Sequence, residues 1–265
     1  KDNKVFKLSR TDKIHSKWRG KAFSELTEEE QRRIRNTTIH AIIFMQRHPL
    51  IGDTSLYQIF ERINSSGKTL FPQEIRNCVY QGPLNALLIE LNENKYWREL
   101  YGRTLRDERM RDLELILRFF ALSSDELQNS KDFPSQISLK KYLNQYMDAN
   151  NKPDVIESLK NRFIAAISFA YKAFGKGAFH NLSPTDSKRL VEKFSPTVFD
   201  SVLIAIDRVI QKRQGRSESF EHLEQKRRAL LADHNYQQIL SQETMRTQNI
   251  RSRVNQMYDA LFGDF

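Results

Sequence analysis

From Thr54 to the end of this 265-residue chain, apolar residues recur at the three- and four-residue spacing of one helix face. That periodicity commits most of the polypeptide to packed helices. Leu56, Ile59, Phe60 and Ile63 form the first stripe, and Asn64-Ser65-Ser66-Gly67 breaks it, glycine accepting backbone angles other residues resist. Pro72 suits a helix start, and the next helix runs past Ile75, Cys78 and Val79 to Gly82. Pro83 opens another, carrying Leu84, Leu87, Leu88 and Leu91. The stretch 112–122 is apolar nearly all round and is predicted to be central. Within it Glu114 and Arg118 stand four residues apart, so they are predicted to form a structural ion pair on one face.

Beyond lies a polar loop at 123–137, then helices around 138–148, 153–174 and 195–213. Gly175-Lys176-Gly177 and Ser183-Pro184-Thr185-Asp186 read as joints, and Lys212 to Arg228 reads as a mobile basic connection. The last helix carries Ile250, Val254, Met257 and Leu261, a stripe that must dock on something.

The front of the chain differs. Val5-Phe6-Lys7-Leu8 alternates as a short strand does, either a solvated edge or one that contacts phosphate. Thr27-Glu28-Glu29-Glu30 is a capping box opening a helix that ends near Asn36. Thr37 to Met45 is β-branched and apolar, which predicts a buried strand with His40 satisfied inside it. The expected class is mainly α: a bundle-like helical domain with a small β element near the N-terminus.

Charge narrows the partners. Lys and Arg number 43 against 33 Asp and Glu, a net of +10. Residues 1–21 alone hold eight Lys or Arg against two Asp, a net of +6. Such an excess favours polyanions, although a merely solvated basic surface has the same composition. The single cysteine, Cys78, excludes an internal disulfide and reads as an ordinary buried thiol. No apolar run reaches the roughly 18 residues of a membrane helix, and the start resembles no signal peptide. A cytoplasmic protein without membrane contact is expected. The first residue is Lys1 and not Met, so further sequence is expected before it.

Common catalytic signatures are absent: no phosphate loop, no nucleophile elbow, no dinucleotide fingerprint and no metal-ligand spacing among the six histidines. Acidic neighbours such as Asp107-Glu108 are ordinary on a charged helix face. One stretch, Ile59 to Asn77, reads as helix, tight polar turn, helix. Free amides at such a turn and helix start favour an anion, with Arg62, Lys68 and Arg76 supplying positive charge. The other reading is that Asn64 and Ser66 close the turn and Glu74 and Arg76 form surface pairs.

This stretch resembles the Phe-x-Arg-x-Asn-x-x-Gly-x-x-Leu-x-x-Gln-Glu-x-Arg signature of the GmrSD-type restriction family, in its ParB-nuclease-like first domain. The correspondence falls on Phe60, Arg62, Asn64, Gly67, Leu70, Gln73, Glu74 and Arg76. Asp112 to Phe119 resembles the family's Glu-x-x-x-Arg-Phe helix, through Glu114 and Arg118, and Tyr142-Leu143-Asn144 resembles a later helix. Ala178-Phe179 and the Phe199 helix are more weakly similar. The family's Asp-Gly-Gln-Gln-Arg motif is absent from these residues, as is a His-Asn-His nuclease domain.

The resemblance implies the rear of a ParB-like core over 1–82 and a helical domain over 83–265, part of a restriction or anti-phage protein. It implies a nucleotide or phosphate site shaped by Arg62, Asn64, Gly67, Lys68 and Arg76. A nucleoside triphosphate with a divalent cation would serve the complete protein, whose hydrolytic residues would come from a preceding segment or a partner subunit. Lys4, Lys7, Arg10, Lys13, Lys212, Arg213 and Arg216 are expected to contact DNA backbone. No catalytic residue or metal ligand is assigned within the chain. The alternatives are a non-enzymatic nucleic-acid-binding module, and a helical interaction scaffold whose last helix docks on a partner or a second copy.

Overall fold

The computed structural model describes residues 5–41, 43, 45, 55–64, 69–186, 189–212 and 222–263. Two compact units divide the chain, one over 1–45 and one over 46–265. The boundary expected near residue 82 therefore differs, because the signature helices pack within the larger, helical unit.

In the first unit, Thr27 caps α1 (Glu28–Arg35) as its sequence predicts: the Glu30 amide donates to the Thr27 hydroxyl, and Glu30 accepts from the Thr27 amide. Glu30 also accepts from Trp18 Nε1 at 2.8 Å and pairs with Lys17 at 2.6 Å. The Lys17 ammonium and the Trp18 indole, followed by the Thr27 amide, hold its carboxyl at about 2. Val5–Leu8 contributes one antiparallel bridge, Lys7 with Ala22, and no strand. The strand expected over 37–45 is likewise missing among the described residues, where Ile39 and Ile43 are each 86% exposed. A β-branched run becomes a strand only where a neighbour completes its hydrogen bonds and a face is buried. The unit's described residues supply neither, and Ala22 is the one buried residue among them.

The second unit holds the core. Its helices are α2 (Ser55–Ile63), α3 (Pro72–Val79), α4 (Pro83–Leu91), α5 (Lys95–Tyr101), α6 (Arg111–Leu122), α7 (Asp125–Asn129), α8 (Leu139–Ala149) and α9 (Pro153–Phe174). A hairpin follows, β1 (His180–Leu182) antiparallel to β2 (Leu190–Phe194), and then α10 (Pro196–Lys212), α11 (Leu223–Leu231), α12 (His234–Ser241) and α13 (Thr247–Phe262). The class is mainly α. Its one two-stranded sheet among the described residues lies at 180–194 and not near the N-terminus.

Helix α10 is the axis of the core, packed against α9, α13 and α6. Val198, Phe199, Val202, Leu203, Ile206 and Val209 are fully buried. Each such side chain contributes about 1.5–3 kcal/mol on leaving water. The stripe Ile250, Val254, Met257 and Leu261 is equally buried, so α13 docks inside its own unit. That overturns the scaffold alternative in the form that gave this face to a partner. Trp97 is a second hub, its ring 5.7–6.1 Å from those of Phe163, Phe194 and Phe199.

Three local expectations are corrected. The polar loop at 123–137 contains α7, capped by the Ser124 hydroxyl accepting from the Leu127 amide. The basic connection after Lys212 already includes α11, where Arg227 is fully buried against Glu224 and the Ala178 carbonyl; residues 213–221 lie outside the described ones. Cys78 is exposed, since Gln73, Arg76 and Tyr80 take the inner face of α3.

Candidate functional site

Two signature residues, Gln73 and Arg76, meet Glu114 and Asn144 around one guanidinium. Pro72 begins α3, and Glu74 turns back to accept from the Phe71 amide at 2.7 Å. This start points Gln73 and Arg76 inward, both essentially without exposure. Arg76 Nε donates to Asn144 Oδ1 of α8 at 2.7 Å, and Nη1 donates to Glu114 Oε2 of α6 at 2.8 Å. Nη1 also donates to Gln73 Oε1 at 3.0 Å, and Nη2 donates to the Lys140 carbonyl at 3.3 Å. Tyr57 of α2 is buried nearby, and burial pushes its hydroxyl up to about 12. The Tyr57 hydroxyl and Gln73 Nε2 have no hydrogen-bond partner among the described residues.

This arrangement corrects the assignment of Arg76 to a phosphate. Its donors are engaged by four groups inside the unit, and a buried guanidinium released from them would cost several kcal/mol. Arg76 fastens α3 to α6 and α8. The predicted Glu114–Arg118 pair is corrected by the same contacts: Glu114 turns to Arg76. Arg118 instead donates through Nε and Nη2 to both oxygens of Asp200 on α10, at 2.7 and 2.6 Å. Arg253 of α13 donates to the same carboxylate at 2.9 Å. Burial, the largest influence, pulls the Arg118 pKa down, but Asp200 outweighs it and holds the group above its usual value. For Arg253 burial prevails and the pKa falls. One carboxylate thus serves two buried cations.

The other predicted residues scatter. Phe60 packs half-buried on the core, and Arg62 is exposed on α2. Asn64 donates from its amide to the Phe60 carbonyl at 2.8 Å, closing the end of α2. Glu74 pairs with Arg109 at 3.1 Å. Gly67, Lys68, Lys4, Arg213 and Arg216 lie outside the described residues. Lys7 pairs with Glu25, Arg10 and Lys13 are exposed, and the Lys212 ammonium sits 4.7 Å from the Tyr258 ring centroid. No described arrangement joins Arg62 to a second cation around a common point.

Four arginines, Arg76, Arg118, Arg227 and Arg253, are buried among the described residues, and so are four aspartates, Asp107, Asp112, Asp200 and Asp207. Burial thus takes equal charge of each sign from the surface and leaves the net of +10 unchanged. Sequence reasoning passed over Asp200, although a lone acid in Val198-Phe199-Asp200-Ser201-Val202 is the mark of a buried carboxylate awaiting a cation. It also passed over Asp112, buried and accepting from Asn92, Arg98 and the Asp107 amide. Among the described residues no group of three or more His, Cys, Asp or Glu gathers to hold a metal ion. Nor do the described contacts aim a base at a nucleophile; the Arg76 cluster is architectural chemistry.

Comparison with protein-family models, with curated proteins and with solved structures gives no match.

Proposed function

We propose that this chain is the rear portion of a restriction-type defence protein and binds nucleic acid, its hydrolytic residues lying outside these 265. The observation that carries the reading is the convergence at Arg76. Three segments behind the family resemblance, 60–76, 112–119 and 142–144, stand far apart in sequence. They are tied together by the Arg76–Glu114 and Arg76–Asn144 contacts. The first unit adds support: Ile39, Ile43 and Met45 form a strand-like sequence without a sheet, as expected of half a core. Nucleic acid would be held by exposed cations such as Arg10, Lys13 and Arg62, touching backbone and not bases.

The test is titration of labelled duplex DNA with this chain at rising salt, alongside assays for nucleoside triphosphate hydrolysis. Affinity should fall by orders of magnitude between about 50 and 200 mM salt as counterions cease to be released. No hydrolysis should occur. Binding indifferent to salt would count against the reading, and turnover abolished by Arg62→Ala would show that the chemistry lies within the chain.

A further inference from the structure

Two cavities on the helical unit meet at one aromatic ring. The first, about 650 Å³, is lined by Phe133, Arg246, Gln248, Arg251, Asn255 and Gln256 among others. The second, about 470 Å³, includes Phe133, Glu126, Lys141, Tyr142, Gln145 and Asp148 in its wall. Both volumes fall in the range of small-ligand sites. We propose that together they form a groove for an unpaired nucleotide strand, with a base stacked on Phe133. This rests on the nucleic-acid reading above and gives it a site.

The groove is built in advance. Its wall, residues 133–138, is stitched to the start of α13: the Thr247 amide donates to the Ser135 carbonyl at 2.9 Å, and the Ile137 amide to the Met245 carbonyl at 3.1 Å. The Thr247 hydroxyl donates to the Pro134 carbonyl. Arg251 anchors the preceding turn by donating to the carbonyls of Leu127 and Ser130, at 2.7 and 2.5 Å. A ligand therefore need not order this segment, which removes one cost of binding. Phe133 meets Tyr142 edge-on, with ring centroids 5.5 Å apart. The Tyr142 hydroxyl is occupied with the Ala121 carbonyl and Ser124, so this ring props Phe133 and leaves stacking to it.

The lining decides the ligand. The lining of the first cavity has Arg246 and Arg251 and no carboxylate. Arg251 is partly engaged by the Leu127 and Ser130 carbonyls. Arg246 pairs at 2.9 Å with Glu243, but both of those side chains are more than half exposed, and so weak a surface pair can be exchanged for a phosphate. The second contains Glu126 and Asp148, which repel phosphate but accept hydrogen bonds from exocyclic base amines. Exposed Gln248 and Gln145, one in each cavity, can donate and accept along base edges. Bases within a duplex are already paired and stacked, and cannot enter such recesses; unpaired ones can.

The experiment is fluorescence anisotropy of the full chain with labelled single-stranded DNA, single-stranded RNA of the same sequence, and a DNA duplex of equal length. Variants are Phe133→Leu, which keeps apolar packing on Tyr142, and Arg246→Ala at an exposed position. One or both single strands should bind at least about tenfold tighter than duplex, and Phe133→Leu should weaken that binding about tenfold. The DNA and RNA arms identify which strand is preferred. Salt-dependent duplex binding with no single-strand preference, and with both variants at wild-type affinity, overturns the groove while the nucleic-acid reading stands. Absence of binding to every probe at low salt removes both.

Discussion

Asp200 is the residue on which most depends. Its two oxygens neutralise Arg118 and Arg253, both buried. Asp200→Asn keeps the volume but leaves two guanidiniums in low dielectric facing a neutral amide. The expected loss is about 3–5 kcal/mol in urea unfolding. A loss below about 1 kcal/mol would mean that the arginines are solvated or satisfied elsewhere. The Glu93–Arg106 pair has equally short geometry, at 2.6 Å, but both side chains are more than half exposed. Glu93→Gln should cost no more than about 1 kcal/mol.

Among the elements, α13 is the clearest case of a face legible in sequence whose destination was not. The 4-3-4 spacing of Ile250, Val254, Met257 and Leu261 fixes an apolar stripe at the helix period. Nothing in that spacing says whether the complement belongs to the same chain, and it is the apolar face of α10 that covers it. Leu261→Ala should therefore destabilise the fold by about 2–5 kcal/mol in thermal or denaturant unfolding without changing the mass in solution. A changed mass with unaltered stability would put the stripe at an interface instead. The same limit explains the missed ion pair. Glu114 and Arg118 lie one turn apart, but a side chain in the core chooses among every partner that tertiary packing brings near. Arg76 and Asp200 lie 38 and 82 residues away from them. The strand expected at 37–45 failed for a related reason: propensity describes what a segment can join, and the described residues of its own unit offer no sheet to join. Caps and proline starts are local, and Thr27, Pro72, Pro83 and Pro153 behave as their positions predict.

At the scale of the whole molecule, burial sets an alkaline limit. Tyr57 and Tyr146 are held neutral by their surroundings, each pushed up to about 12 from an ordinary value of 10.0. A folded-state pKa above the unfolded one contributes stability that is complete below pH 10 and is lost as pH climbs toward 12. Melting temperature should therefore hold level up to about pH 9 and fall steeply beyond 10, with the phenolate absorbance of Tyr57 and Tyr146 appearing only as the helices unfold. Phenolate absorbance from every tyrosine near pH 10 in a still-folded protein would contradict this. The docking of α10 between α9 and α13 has one more consequence, in the order of synthesis. The middle helix leaves the ribosome long before its last neighbour, and the part of its apolar surface that faces α13 has no native cover until Phe262 has emerged. A chain stalled or cleaved just short of α13 should therefore be a substrate for chaperones and proteases, although every residue of the Arg76 node has already been made.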